Sequence, residues 1–333
     1  MARCRQDVAL SIVKGHEALA QSVLSEMPSL QVMSRYQLGF CYMIALDWDA
    51  ALNEFRVMIQ AKDDGDVAVS PFDAFYCYMA GLCCFLAADG GSKKDDDAGM
   101  ELMARCTQSL TKNKRPLEVY VSNKAKRFLG GDGRQANAFL EMLEVLHLWN
   151  SFEHMTKASR DGIKTLLDRT ASTMSGGAAG GGVLGAAAVA AGEKEQEELP
   201  GPPQQGGGGG AGLAGAAASL EGALAPDNVA RVHLYRMLLS YCDENFERAA
   251  EEGDAVIAMA PELGRAAKED GTLPFTLFYR TLVSLDLGDF DEAKAFRLRI
   301  DKCPAYNMQK RMNFRLHALS RRLKEEEAAA DEL

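Results

Sequence analysis

The side chains that most often hold metals or act as nucleophiles are few and widely spaced in this chain. His147 and His154 lie seven residues apart, whereas zinc sites on helices use ligands at i and i+4 or a Cys-x-x-Cys pair. Cys83 and Cys84 are adjacent and lack that spacing. No G-x-S-x-G or H-E-x-x-H sequence occurs, and no Cys/His arrangement carries a local signature. We therefore predict no catalytic, cofactor-binding or metal-ligating residues, no cofactor and no enzymatic activity.

Paired carboxylates can serve in acid–base catalysis, and Asp47 and Asp49 form such a pair. They flank the expected start of a helix, where negative charge complements the helix dipole. We favour this capping role over catalysis.

Basic residues are concentrated near the end of the chain. Ten lysines and arginines and a single acid, Asp301, fall between Lys294 and Lys324, a balance of +9 in a protein whose net charge is −10. Some of them could form a docking face for acidic peptides or anionic lipid headgroups. RNA is less favoured because few aromatic residues interleave with the charges. A solvated outer face of a capping helix is the alternative, with Arg315 as an ion-pair partner for acids in the stack. The predicted docking face consists of Lys310, Arg311, Arg315, Arg321 and Arg322.

The elements that must position these residues are organised around 36–55, whose pattern predicts two antiparallel helices. Leu38 and Gly39 lie on one helical face, a break follows at 47–49, and Ala51 and Phe55 open a second helix. Small residues at Gly39 and Ala51 would let the two helices approach closely. This is the pattern of a tetratricopeptide repeat. One such hairpin cannot bury its apolar face alone, so further helix pairs should stack on it.

The first helix of this hairpin supplies a second candidate site. Repeat solenoids present first-helix side chains on their concave surface, and Tyr36, Phe40 and Met43 are the predicted partner-binding residues there. An aromatic–methionine stripe at helical spacing is also typical of a core. A third interpretation is a surface on which preceding chain would pack.

The turn of this hairpin recurs twice further along the chain, which is the best internal sign of repeats. Each time an aromatic residue is followed three residues later by an alanine. The pairs are Trp48 and Ala51, Phe246 and Ala249, and Phe290 and Ala293. Helical patterns also cover 7–29, 72–86, 98–110 and 116–129, and a long one covers 136–172. We expect the helix at 72–86 to be central and buried, because it is very apolar.

Composition limits the class of protein. A net charge of −10 argues against a general nucleic-acid binder. The eight cysteines, mostly inside apolar helical runs, are interpreted as reduced core thiols of a cytosolic protein. No membrane span or secretory signal is evident. A cytoplasmic location is expected, with peripheral attachment to an organelle surface as the alternative.

The domain organisation follows from an abrupt change in composition at 175–225, which is rich in glycine, alanine and proline. Such a segment cannot offset its chain entropy by burial, so we predict a disordered linker. N-terminal helical repeats would occupy 1–174. C-terminal tetratricopeptide-like repeats and a capping helix would occupy 226–324, and an acidic tail 325–333. The predicted fold class is an all-α, tetratricopeptide-like solenoid interrupted by that segment.

Four blocks of sequence resemble the family that contains tetratricopeptide repeat protein 39 and the fungal inclusion body clearance proteins. They are Cys41 with Leu46-Asp47-Trp48; Pro116-Leu117-Glu118, Tyr120 and Lys124-Ala125-Lys126-Arg127-Phe128; Leu143-Glu144 with Trp149-Asn150 and Phe152; and Arg311, Phe314-Arg315 and His317-Ala318. His147 and Ser151 depart from the family pattern, where an aromatic and a glycine are usual. The resemblance implies that the glycine-rich stretch is a lineage-specific insertion and that the family's N-terminal half is not represented in this sequence.

The resemblance implies a helical-repeat scaffold that binds proteins, with a link to protein or lipid homeostasis. The expected function is therefore a non-enzymatic adaptor with a protein or peptide partner, and without a nucleic-acid or small-molecule ligand. The alternative is association with an organelle or lipid-droplet surface through the basic C-terminal helices.

Overall fold

The computed structural model describes residues 8–63, 72–87, 93–109, 115–130, 134–174 and 225–331, and all regular structure in these ranges is helical. This confirms the predicted all-α fold class. The predicted linker lies outside the described residues except for Ala225. The helices before it are α1 (Val8–Leu24), α2 (Pro28–Ile44), α3 (Trp48–Asp63), α4 (Asp73–Ala87), α5 (Lys93–Gln108), α6 (Pro116–Leu129), α7 (Arg134–Leu148), a 3-10 helix (Ser151–His154) and α8 (Lys157–Met174). Those after it are α9 (Pro226–Cys242), α10 (Phe246–Ala258), α11 (Arg265–Asp270), α12 (Thr272–Asp286), α13 (Phe290–Asp301) and α14 (Gln309–Asp331).

The three predicted hairpins, α2–α3, α9–α10 and α12–α13, share one turn. Each first helix is followed by a residue in the left-handed region: Leu46 at φ 65°, Glu244 at φ 61° and Gly288 at φ 81°. The next N–H donates to a carbonyl oxygen five residues back, at 2.9, 2.9 and 2.8 Å respectively. This is the bond that closes a Schellman motif and stops a helix. The repeats predicted from sequence therefore have the same backbone geometry.

The second helix of each hairpin is capped in the same way. Asp47, Asn245 and Asp289 each accept a hydrogen bond on Oδ1 from the backbone N–H three residues later, at 3.0, 3.1 and 2.9 Å. Such a bond satisfies one of the free donors of a helix start. The alanine that follows each aromatic residue by three positions is fully buried. The capping role predicted for Asp47 is confirmed.

Close approach within the first hairpin depends on Gly39, as the sequence predicted. A Cβ atom built on Gly39 would lie 2.9 Å from Cζ of Phe55, closer than packed atoms lie in proteins. Phe55 and Ala51 are fully buried between the two helices. Any larger residue at position 39 would push α2 and α3 apart.

One hydrophobic core extends from α2 to α14 and joins the helices on both sides of the predicted linker. Every residue of α4 from Asp73 to Leu86 is buried, which confirms the expectation of a central helix. α9 packs against α7, α8 and the 3-10 helix. The helices before 175 and after 225 thus form one stack.

Two boundaries differ from the sequence expectation. The pattern at 136–172 is not one helix: α7 and α8 are separated by Asn150, at φ 60°, and by the 3-10 helix. Asparagine tolerates the left-handed region and can end a helix there. The residues 325–331, predicted as a tail, continue α14. Pairs four residues apart support it, such as Arg322 Nε with Glu326 Oε1 at 2.6 Å.

In the described part of the chain no helix has the length and apolar character that crossing a membrane requires. Cys83 and Cys84 are buried in α4, and both are free thiols. Burial raises the pKa of both thiols, so they behave as core residues rather than nucleophiles.

Candidate functional site

The densest group of charges lies inside the stack, and we call it the buried ion network. Lys124 of α6 lies at its centre, with its side chain 1% exposed. Its Nζ atom is 3.0 Å from Glu141, 2.6 Å from Glu144 and 2.7 Å from Asp270. The network comprises Lys124, Arg127, Glu141, Glu144, Arg231 and Asp270.

Arg231 of α9 completes the network from the far side of the predicted linker. Its Nη2 atom lies 3.1 Å from Oε1 of Glu141 and 3.1 Å from Oε2 of Glu144. The hydroxyl of Tyr78 donates to Glu141 at 2.9 Å, and that of Tyr120 donates to Glu144. Three cations thus face three carboxylates, and tyrosine hydroxyls satisfy further oxygens. Such a balanced arrangement suits a structural role more than proton transfer.

The electrostatics of the network favour the charged forms of Lys124 and Glu141. Burial would lower the pKa of Lys124, but the nearby carboxylates outweigh it and raise that pKa. Burial would raise the pKa of Glu141, yet Arg231 and Lys124 hold it at about 2. Burial raises the pKa of Glu144, as expected when two carboxylates share the same cations.

A second group, the arginine–tryptophan site, consists of Tyr36, Trp149, Arg311 and Arg315. The indole N–H of Trp149 donates to the hydroxyl of Tyr36 at 3.0 Å. The guanidinium of Arg311, in α14, lies 4.4 Å from the centre of the Trp149 ring, within the range of cation–π attraction. The aromatic wall continues through Phe75, which stacks on Trp149 at 5.2 Å.

Arg315 is held one turn further along α14. Its Nη2 donates to the carbonyl oxygen of His147 at 3.1 Å, and its Nη1 to the hydroxyl of Tyr279 at 3.4 Å. The first bond joins α14 to the end of α7. The sequence alternative that Arg315 pairs with acids in the stack is corrected, because its partners in the described residues are a carbonyl and a hydroxyl.

The pKa shifts around this site have a common origin in burial. Burial, and then the like charge of Arg315, lower the pKa of Arg311. Burial raises the pKa of Tyr36 to about 12, although the bond from Trp149 and the charge of Arg311 oppose it. The pKa of His147 is lowered by burial and by Arg315. The site is therefore positive, with a neutral imidazole behind it.

The predicted docking face does not form a single cationic surface. Arg322 pairs with Asp286 at 2.6 Å and with Glu326, and Arg321 lies 3.6 Å from Glu325. Lys310 is exposed at the start of α14, next to the half-buried Arg311. The five residues thus divide into a neutralised pair, Arg321 and Arg322, an exposed Lys310, and the two arginines of the arginine–tryptophan site. Long-range pairing with Asp286 could not be read from sequence.

The predicted groove residues lie mainly in the core. Met43 is fully buried and Phe40 is 8% exposed, so neither offers a surface to a partner, and that placement is corrected. Tyr36 is half-buried and contacts Phe40, Phe75 and Tyr76. The core interpretation of this stripe is the one that fits, because α4 and Trp149 cover it.

Large exposed hydrophobic residues cluster instead on α1 and the start of α2. In α1 only Val8 and Ser22 are buried. We call this surface the apolar edge, and it comprises Leu10, Val13, Val23, Leu24, Met27, Leu30 and Met33.

Sequence reasoning missed the buried ion network, although Lys124, Arg127 and Glu144 belong to the family resemblance. Arg231 and Asp270 carry no local signal, since their partners lie far away in the chain. The position of Lys124 between Val121 and Phe128, on an apolar helix face, was the available sign. Among the described residues no group of histidine, cysteine or acid side chains could hold a metal ion.

Hairpins with a shared turn, a shared cap and one continuous core define a helical-repeat protein of the tetratricopeptide type. The family described as Iml2/Tetratricopeptide repeat protein 39 matches residues 1–177, and the chain belongs to that family. This range includes Lys124, Glu144 and Trp149, but not the resembling block at 311–318. No curated protein and no solved structure matches the chain.

Proposed function

We propose that this protein is a non-enzymatic scaffold that binds a protein partner through the apolar edge. The observation that carries the proposal is the exposure of these side chains, from 43% at Leu30 to 82% at Leu24. The terminal units of repeat stacks usually present a polar outer face. Soluble proteins seldom leave so many large apolar side chains exposed on two neighbouring helices unless that surface binds something.

The charges of α1 fit the same interpretation. Lys14 and Glu17 pair with each other at 2.7 Å, and His16 contacts the hydroxyl of Tyr42 at 2.8 Å through Nε2. Few charges therefore interrupt the apolar edge. A helix that is apolar over most of its circumference is normally covered on most sides, which supports an apolar helix or strand as the occupant.

Two features support a binding role over catalysis. The cations and carboxylates of the buried ion network pair with one another and join helices. Cys83 and Cys84 have raised pKa values, which disfavours the reactive thiolate. A cytoplasmic location and a role in protein or lipid homeostasis remain expectations from the thiols and from the family resemblance.

The test is proximity labelling in cells with the double variant Val13→Glu and Met33→Glu. We expect the set of labelled proteins found with the native chain to be lost, because charges within an apolar interface oppose burial. Leu298→Glu is the matched control, since Leu298 is 62% exposed but lies on α13. It should retain the set. Circular dichroism and thermal unfolding check that all variants fold.

An unchanged labelled set in a folded apolar-edge variant would contradict the proposal. Light scattering on the same proteins identifies a second copy as the partner, if the native chain is a dimer and the variant a monomer.

Association with an organelle or lipid-droplet surface through the basic C-terminal helices is the weaker candidate. It would use exposed cations, yet Lys294 pairs with Glu327 at 2.5 Å and Arg322 with Asp286. Flotation with anionic liposomes tests it directly. Salt-sensitive binding that disappears when Arg311, Arg315, Arg321 and Arg322 are changed to glutamate would favour this candidate.

A further inference from the structure

Arg311 and Arg315 differ from the other arginines of α14 in lacking a carboxylate partner among the described residues. Arg321 has Glu325, and Arg322 has both Asp286 and Glu326. Glu153, an acid that acts electrostatically on Tyr279, forms no ion pair with Arg311 or Arg315 in the described part of the chain. Two like charges one helical turn apart repel each other unless an anion lies between them.

Each of the two arginines is held in place by a group outside α14. The Arg311 guanidinium rests on the Trp149 ring at 4.4 Å, and Arg315 is fixed by the carbonyl oxygen of His147. Both arginines are half-buried. Phe314, between them in sequence, is 80% exposed. Fixed guanidinium groups lose less conformational entropy on binding than mobile ones.

We propose that the arginine–tryptophan site binds the carboxylate of an acidic side chain from a partner peptide, with an apolar neighbour of that acid packed on Phe314. This rests on the proposed function only in that the partner is a protein, and it uses a surface other than the apolar edge. The planar guanidinium fork matches a carboxylate with two parallel hydrogen bonds.

A peptide fits this site better than a membrane. Lipid headgroups bind where several mobile cations protrude from one face, whereas Arg311 and Arg315 are half-buried and Arg321 and Arg322 are paired with carboxylates. The exposed Phe314 ring, three residues after Arg311 on the same helix, suits a peptide that offers an acid and an apolar residue together. Anionic lipid and free phosphate are the competing sources of negative charge, and the experiment separates them.

The experiment measures fluorescence anisotropy of a labelled peptide with two glutamates beside a leucine, using the full chain. Its twin carries glutamine in place of glutamate. We expect saturable binding of the glutamate peptide and about tenfold weaker binding of the twin. This difference in affinity corresponds to the loss of about one charged hydrogen bond. Arg311→Gln should weaken binding of the glutamate peptide about tenfold as well. Arg321→Gln, the same charge change on the same helix, should leave it unchanged.

Several results would overturn the inference. They are no saturable binding up to about 1 mM peptide, equal binding of the twin, or an equal loss with Arg321→Gln. Displacement of the peptide by phosphatidylserine vesicles or by inorganic phosphate at low concentration would assign the site to those anions instead. Arg311→Gln carries the test rather than a change at Arg315, because Arg315 bonds to two other helices, whereas the Arg311 guanidinium, among the described residues, rests on a ring face. The apolar-edge variant should bind the peptide normally, so the two proposals can fail separately.

Discussion

At the scale of single residues, Lys124 shows how a buried charge can hold a helical stack together. Its ammonium contacts carboxylates from α7 and α11, and its own helix is α6. Removing one member of a buried charge group costs more than the group contributes, because the remaining charges lose compensation. Substitutions within the buried ion network should therefore destabilise the fold.

We predict that Lys124→Met lowers the free energy of unfolding by about 3–5 kcal/mol. Glu141, Glu144 and Asp270 would remain buried with one cation fewer. Urea unfolding followed by circular dichroism measures the loss. Lys157→Met is the control, because Lys157 is 77% exposed and its one ion-pair partner among the described residues is the exposed Asp161. Equal effects of the two substitutions would show that the network does not support the fold.

His147 carries a prediction about pH. It is buried, its Nε2 has no hydrogen-bond partner in the described residues, and its pKa is lowered by burial and by Arg315. The unfolded chain takes up a proton below about pH 6.5 and the folded protein does not. Stability from neutral His147 is therefore complete above about pH 6.5 and declines below it, by up to about 1.4 kcal/mol per pH unit.

The variant His147→Phe isolates this effect, because it removes the titrating group and keeps a ring against Phe275. Urea unfolding at about pH 7.5 and about pH 5.5 should show a larger loss of stability for the native chain than for the variant. The same pH dependence in both proteins would place the acid sensitivity in other groups.

The residue scale is also where sequence reasoning was least complete. Asp47 was predicted as a cap because caps are local, and the structure has that bond. Met43 and Phe40 could not be separated from surface residues, since helical spacing alone does not tell which face a later helix covers. Arg231 and Asp270 meet Lys124 across long stretches of chain, and no local pattern encodes such a meeting.

At the scale of helices and turns, most of the fold was readable in advance. The predicted helical pattern at 116–129 coincides with α6, which has Pro116 in its first turn. The repeated turn followed from an aromatic and an alanine at fixed spacing. The break at Asn150 was missed because apolar residues continue at helical spacing on both sides of it. The left-handed backbone of one asparagine does not change that spacing.

We predict that Gly39→Val destabilises the protein by about 1–3 kcal/mol, the usual cost of overpacking. The valine would meet the Phe55 ring, which has no room to move in a buried hairpin. Gly130→Val is the matched control, because among the described residues the nearest atom to an added Cβ there is the carbonyl oxygen of Arg127, at 3.8 Å. Thermal unfolding compares the two variants. A stable Gly39→Val protein would mean that α2 and α3 can separate at little cost.

At the scale of the whole molecule, the predicted linker separates the chain in sequence but not in packing. Arg160 Nε lies 2.6 Å from Asp243, Arg236 lies 2.5 Å from Asp168, and Lys124 reaches Asp270. Each pair joins a residue before 175 to one after 225. The division into N-terminal and C-terminal repeats describes the sequence, whereas one core and several ion pairs join the two segments into one scaffold.

The measurement that tests this central claim most directly is native size-exclusion chromatography after cleavage at a protease site placed in the glycine run 206–210. We predict that both fragments elute together, at the volume of the intact chain, and separate only in denaturant. Their association should weaken in the Lys124→Met variant. Fragments that elute apart under native conditions would contradict the claim that the segments on both sides of the linker form one helical stack.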